Sequence, residues 1–372
     1  MLTSWQFVSL ATALMYFGCF AFTTAVAQQT DDESERFKVT VVAEGLSNPC
    51  GLVERPGSTA AAGSEVFFSE SGAGKVCSFR TNSPEAIADQ IEGFSVGPWA
   101  LDENLAVGPL GLAFLKKSKL VVGCGGSGSG QDEMLVYDLP TTTQDEPAAP
   151  IGSQRSDYVL GPIGESNRSM TGEGGFFSLV AKPDVALFAT SSGDSRHGWL
   201  LKASIAKNRA SDLQPFIATR ETNQCETPLA ATLNLVESDR GYLVVGLCGR
   251  LGAEAGEEAL RDSRLAFYSP HSGRLALALD TGLQDISALA FSPTGQLYAA
   301  DMAWDDEQAG GVYRLDEHLV EGKQTCRAVK ICSVPRPSSL LFVDTDQLFV
   351  TAYGAASEDQ NAGSILKVTG EF

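Results

Sequence analysis

Positive charge, histidine and compact catalytic signatures are all scarce in this 372-residue chain. Its 27 Lys and Arg stand against 46 Asp and Glu, a formal net charge of −19, so a nucleic-acid backbone or an anionic membrane surface is repelled on average. Cations and neutral ligands are the partners this balance admits. There is no GxSxG elbow, no HExxH pair and no GK[ST], which removes the motif-borne serine hydrolases, zinc proteases and phosphate-loop enzymes. One GxGxxG fingerprint runs from Gly123 to Gly128, but a dinucleotide site needs a helix next, and the residues from Met134 to Tyr137 predict a strand. The segment reads as a rim loop. Of the three histidines, His271 sits in a Pro-His-Ser-Gly turn and His318 is expected in an exposed loop, which leaves His197 as the general-base candidate. No stretch sustains helical periodicity, so the fold must be built from strands.

Charge is also missing from Phe7 to Ala27, an apolar run closed by the small-x-small pattern Ala25-Val26-Ala27. Residues 1–27 are predicted to be a signal peptide cleaved before Gln28, with an uncleaved anchor as the alternative because about twenty apolar residues also span a bilayer. The protein is then secreted or periplasmic. Residues 28–36 read as an acidic tether and 37–372 as the folded unit. Secretion permits disulfides. Cys225 and Cys248 flank adjacent predicted strands at the same end and are expected to pair. Cys326 and Cys332 fall on one predicted strand, which holds them ~20 Å apart, too far to bridge.

From Phe37 onward a strand pattern repeats six times. Inner strands carry Leu52, Leu112, Leu179, Leu233, Leu289 and Leu341, recurring every ~50–70 residues, the length of four short strands. A second apolar strand follows each one, for example Val66-Phe67-Phe68 and Leu297-Tyr298-Ala299, and a third begins at Lys75, Met134, Trp199, Leu265, Val312 and Ile365. Outer strands are weaker and more polar, as at Leu213 to Ala218 and Leu275 to Asp280. The sixth repeat lacks its outer strand, whereas Phe37 to Glu44 is a spare strand at the other end. The prediction is an all-β, six-bladed β-propeller of four-stranded antiparallel blades, its last blade closed by the N-terminal strand.

The stretch Leu289-Ala290-Phe291-Ser292-Pro293-Thr294-Gly295-Gln296-Leu297-Tyr298-Ala299-Ala300-Asp301 resembles the repeats of the six-bladed group that contains NHL-repeat and TolB-like proteins, gluconolactonase-type lactonases, strictosidine-synthase relatives and soluble quinoprotein sugar dehydrogenases. The resemblance covers nearly all of 37–372 and rests on the blade, a scaffold that hosts many functions. The lactonases it points to carry a Glu in a Gly-Glu-Gly-Pro setting before the first inner strand and bind one divalent cation. Here that place reads Ser47-Asn48-Pro49-Cys50, so Glu70 must stand in for the missing Glu, with Asp301 matching a family Asp. The quinoprotein resemblance implies a catalytic His with Arg partners, for which His197 beside Arg196 is the candidate.

In a propeller, the loops leading into each inner strand and those between second and third strands open on one face around the central channel. The long loops Ser95 to Pro109, Cys124 to Glu133, Gly161 to Gly175 and Gly249 to Ser263 all fall there. Asn48, Trp99, Glu173, His197, Glu226, Arg250, Trp304, Arg336 and Tyr353 project from this face as candidate binding residues. Glu70, Asp194 and Asp301 follow the second strands of alternate blades and are the candidate oxygen ligands for Ca2+. The leading expectation is a propeller that binds a small molecule, carbohydrate or protein at the channel mouth. A calcium-dependent gluconolactonase-like hydrolase is the alternative, and a quinoprotein dehydrogenase the third reading.

Overall fold

The structure, a computed structural model, describes residues 31–32, 36–57, 63–99, 102–140, 149–167, 169–191, 198–220, 227–233, 241–248, 260–304, 306, 308–354 and 362–372. The predicted signal peptide, Cys225, Glu226, Asp194, Arg196, His197 and Arg250 lie outside the described residues.

The protein is a six-bladed β-propeller. Blade 1 runs from its inner strand Pro49–Glu54 through Glu65–Glu70 and Lys75–Arg80 to Ser83–Glu92. Blade 2 comprises Pro109–Lys116, Lys119–Cys124, Met134–Asp138 and Tyr158–Leu160, and blade 3 Leu179–Lys182, Ala186–Ser191, Trp199–Ala206 and Arg209–Ala218. Blade 4 holds Thr227–Leu233, Leu243–Cys248, Arg264–Tyr268 and Leu275–Asp280, and blade 5 Ile286–Phe291, Leu297–Asp301, Gly311–Val320 and Lys323–Ser333. Blade 6 has only three strands of its own, Pro337–Asp344, Gln347–Ala352 and Gly363–Thr369; its outer strand is Lys38–Leu46, antiparallel to the third. The predicted closure is the one formed.

The second strand of each blade explains why the ring is stable. Its side chains alternate between two neighbours, because strand side chains point to opposite faces with period two. Leu120 and Val122 pack toward blade 1, while Val121 packs toward blade 3. Likewise Leu243 and Val245 face blade 3 and Val244 faces blade 5. The result is a core divided into one apolar cluster at every blade-to-blade seam, including the seam where blade 6 meets blade 1 around Phe68, Phe79 and Phe349. Buried hydroxyls stitch the same seams. Ser69 Oγ donates to the Leu110 carbonyl at 2.6 Å, Ser338 Oγ to the Pro49 carbonyl at 2.7 Å and Thr351 Oγ1 to the Cys50 carbonyl at 3.1 Å.

Three details differ from the sequence reading. Asp31 and Asp32, placed in the acidic tether, pair in parallel with Val329 and Lys330 on the outer edge of blade 5. Ile151 and Gly152 cover the edge of blade 1 in the same way. His318 is exposed as expected but sits on the third strand of blade 5, which continues to a two-residue turn at Glu321 and Gly322, both with positive φ, as a tight hairpin requires. Cys326 and Cys332 share the strand Lys323–Ser333 and are not bridged, and no disulfide joins any two of the described cysteines.

Candidate ligand-binding site

Each blade sends one side chain toward the ring's centre on the long-loop face: Cys50, Leu110, Phe177, Cys248, Met302 and Tyr353 form a single apolar cluster, each 5% exposed or less. Trp99 lies on it, stacked on Phe177 with ring centroids 5.8 Å apart and tilted against Trp304 at 5.7 Å. Arg336 places its guanidinium 4.8 Å from the centre of the Trp304 ring. The channel mouth is therefore sealed. Burial pushes the Cys50 thiol up to about 12, and Tyr353, whose hydroxyl faces that thiol, is raised as well, so both stay neutral at physiological pH.

Beside the seal, over blade 2, three of the long loops enclose a cleft of about 580 Å3. Pro98, Trp99 and Glu103 come from the first loop, Gly125, Gly128, Ser129 and Asp132 from the glycine-rich second, and Gly175 from the third. Glycine is needed here for close backbone approach: a Cβ on Gly126 would stand 2.7 Å from the Val107 carbonyl oxygen, and one on Gly174 2.5 Å from Asp132 Oδ2. The fingerprint-like glycines thus pack loop on loop, and the chain continues into the strand Met134–Asp138, not into a helix.

Asp132 ties these loops together. It is 1% exposed, its Oδ1 accepts the Ser127 N–H at 2.8 Å and its Oδ2 the Gly175 N–H at 3.0 Å. Burial outweighs these hydrogen bonds and raises its carboxyl to about 6. Next to it Glu173, fully buried, accepts a 2.6 Å hydrogen bond from Ser191 Oγ. Because the folded pKa of Asp132 lies above the unfolded one, its contribution to stability is fully present below pH ~4 and is lost as pH rises through 6, a cost of about 3 kcal/mol at neutral pH. A carbon-13 titration of the Asp132 carboxyl should show a midpoint near 6; a midpoint in the ordinary carboxylate range would contradict this environment.

The structure brings Trp99, Trp304, Arg336 and Tyr353 together at the seal. Asn48, held at φ 47, donates from Nδ2 to the Ala106 carbonyl and so anchors the first loop. Of the three candidate calcium ligands, Asp194 lies outside the described residues, and the other two are occupied by backbone donors. Glu70 Oε1 accepts the Ser47 N–H at 3.1 Å. Asp301 is 1% exposed, with Oδ1 accepting from Asp285 N and Ala303 N and Oδ2 from Gln284 N. Carboxylate oxygens already facing N–H donors are a poor fit for a hard cation that needs six to eight oxygens, and no group of three or more metal-ligating side chains occurs among the described residues. The quinoprotein candidates His197 and Arg196 lie outside the described residues. Asp132 and Glu103 escaped the sequence reading. The one signal for Asp132 was an acidic residue closing a glycine-rich loop.

No family model matches the chain, and no curated protein matches it. Similarity to solved structures is broad but distant. A PQQ-bound aldose sugar dehydrogenase from Streptomyces coelicolor is 12% identical with a TM-score of 0.57, matching 90% of this chain and 98% of that one. A luciferin-regenerating enzyme is 11% identical with a TM-score of 0.54, over 90% and 95%. A "putative gluconolactonase" is 10% identical with a TM-score of 0.51, over 90% and 92%. At these identities the likeness is one of fold. Its blade count, its closure and these neighbours agree on one architecture, the six-bladed β-propeller fold.

Proposed function

We propose that this protein is a secreted or periplasmic binding propeller whose ligand, a small hydroxyl-bearing molecule of saccharide size, occupies the cleft over blade 2. The observation that carries the reading is the pairing of a sealed channel mouth with a cleft of mixed polarity beside it, built from three loops on the face where propellers present their variable segments. Carboxylates and backbone amides that converge beside an aromatic wall suit hydroxyl groups, which donate and accept. The apolar segment at 7–27 supports export. The volume is of the size that encloses a small ligand.

The test is thermal. A ligand that binds only the folded state stabilises it by about 2.7 kcal/mol at one hundred times its Kd. A panel of mono- and disaccharides should raise the melting temperature of the wild type, and Ser129→Trp, which fills the cleft from its wall, should abolish the rise. Equal rises in both proteins, or none in either, would remove the cleft as the site.

A further inference from the structure

The cleft has a charge character that its shape alone does not reveal. Among the described residues, its two ionisable wall residues, Glu103 and Asp132, are both acidic, and no Lys, Arg or His lines it. Glu103 is exposed at the rim and Asp132 is buried in the floor, so a ligand placed between them meets negative charge on both sides. The whole chain carries a net −19, a field that draws small cations toward the protein and lowers the local concentration of anions. The third element is Trp99. Its indole lines the cleft as an aromatic wall, the kind of surface whose face attracts a cation. Carboxylates call for a positive group, and an aromatic wall suits the carbon frame around it. Neither a simple anion nor a plain hydrocarbon supplies both.

We infer that the cleft over blade 2 selects small organic cations, with Glu103 and Asp132 as counter-charges and Trp99 as the aromatic wall. The inference rests on the cleft being the binding site and narrows the ligand from hydroxylated molecules in general to cationic ones. It also makes binding pH-dependent, because the floor carboxylate must give up its proton to act as a counter-charge. The titratable groups packed around Asp132 are Cys124 on the second strand of blade 2, the adjoining Glu133, Glu173 on the third loop, and Glu103 across the cleft. None of these charges contributes to the shift at Asp132, which burial produces.

Calorimetric titration of the full-length secreted chain with choline, whose charge does not titrate, and with its neutral isostere 3,3-dimethylbutan-1-ol tests the inference directly. Glucosamine and glucose make a second such pair. Each cation should bind about tenfold more tightly than its neutral counterpart, the range of a desolvated cation–π contact beside a carboxylate. Choline binding should tighten about tenfold between pH 5 and pH 7.5, as Asp132 ionises near 6. Glu103→Gln, at an exposed position, should weaken choline roughly two- to fivefold more than it weakens the neutral isostere. Asp132→Asn, checked for folding by circular dichroism, should flatten the pH dependence. Neutral and cationic members binding alike, or a flat pH profile in the wild type, would overturn the inference. If glucose still binds and Ser129→Trp blocks it, the binding propeller survives that failure; if no probe binds, both fall.

Discussion

A chain that begins at Ser47, lacking the strand Lys38–Leu46, should fail to form a stable monomer. That strand makes a seven-position antiparallel ladder with Gly363–Thr369, from Lys38 opposite Thr369 to Leu46 opposite Gly363. At about 1 kcal/mol net for each ladder hydrogen bond, together with the loss of Leu46 and its neighbours from the blade 6 to blade 1 cluster, the deletion removes on the order of 5–10 kcal/mol. This equals the whole stability of an ordinary domain. The exposed edge of Gly363–Thr369 would also be a template for pairing with other chains. Size-exclusion chromatography should show aggregate for residues 47–372 and monomer for residues 28–372, and a synthetic peptide of residues 36–46 should restore part of the cooperative melt. An unchanged melting temperature in the truncated protein would mean that the seam hydroxyls and aromatic contacts close the ring without this strand.

The closure was legible because it depends on a count. Six inner strands and five complete blades leave one vacancy, and Phe37 to Glu44 is the one strand without a place. Blades were equally readable, since the apolar alternation of segments such as Leu297-Tyr298-Ala299 has a direct physical cause: Leu297 and Ala299 pack toward blade 4 and Tyr298 toward blade 6. Loop placement followed from strand order, and three of the four long loops do meet at the cleft. What sequence position does not convey is the direction of a polar side chain. Glu70 and Asp301 hold equivalent places in alternate blades, which invited a shared cation, yet each accepts backbone N–H groups from the loop that enters its own blade. Two-residue edge strands such as Ile151–Gly152 have no periodicity to detect, and they form only because an outer strand leaves open acceptors beside them.

Asp301→Ala should destabilise the protein by about 3 kcal/mol, and by the same amount in calcium and in EDTA. The Asp301 carboxylate sits at the end of the second strand of blade 5 and accepts three backbone N–H groups, from Gln284 at 3.0 Å, Asp285 at 2.7 Å and Ala303 at 3.2 Å. Its truncation leaves those donors buried and unmet, at ~1–3 kcal/mol each, while relief of the desolvation that raises its own pKa returns part of the loss. Ala303 is held at φ 45, a left-handed conformation that a residue with a Cβ adopts only under constraint, and the bond to Asp301 Oδ1 is one of the constraints. The effect should reach the seal, because Asp285 Oδ2 in turn accepts the Trp304 N–H at 2.8 Å and Trp304 packs on Trp99. Asp301→Asn should lose less, since an amide oxygen in the Oδ1 position keeps two of the three bonds and only Gln284 then faces a donor. Urea unfolding of the three proteins, followed by tryptophan fluorescence with and without calcium, gives the midpoints. If Asp301→Ala matches wild type in EDTA and falls behind it only when calcium is added, the carboxylate is a calcium ligand, and the cation site expected from the alternate-blade spacing replaces the structural role assigned here.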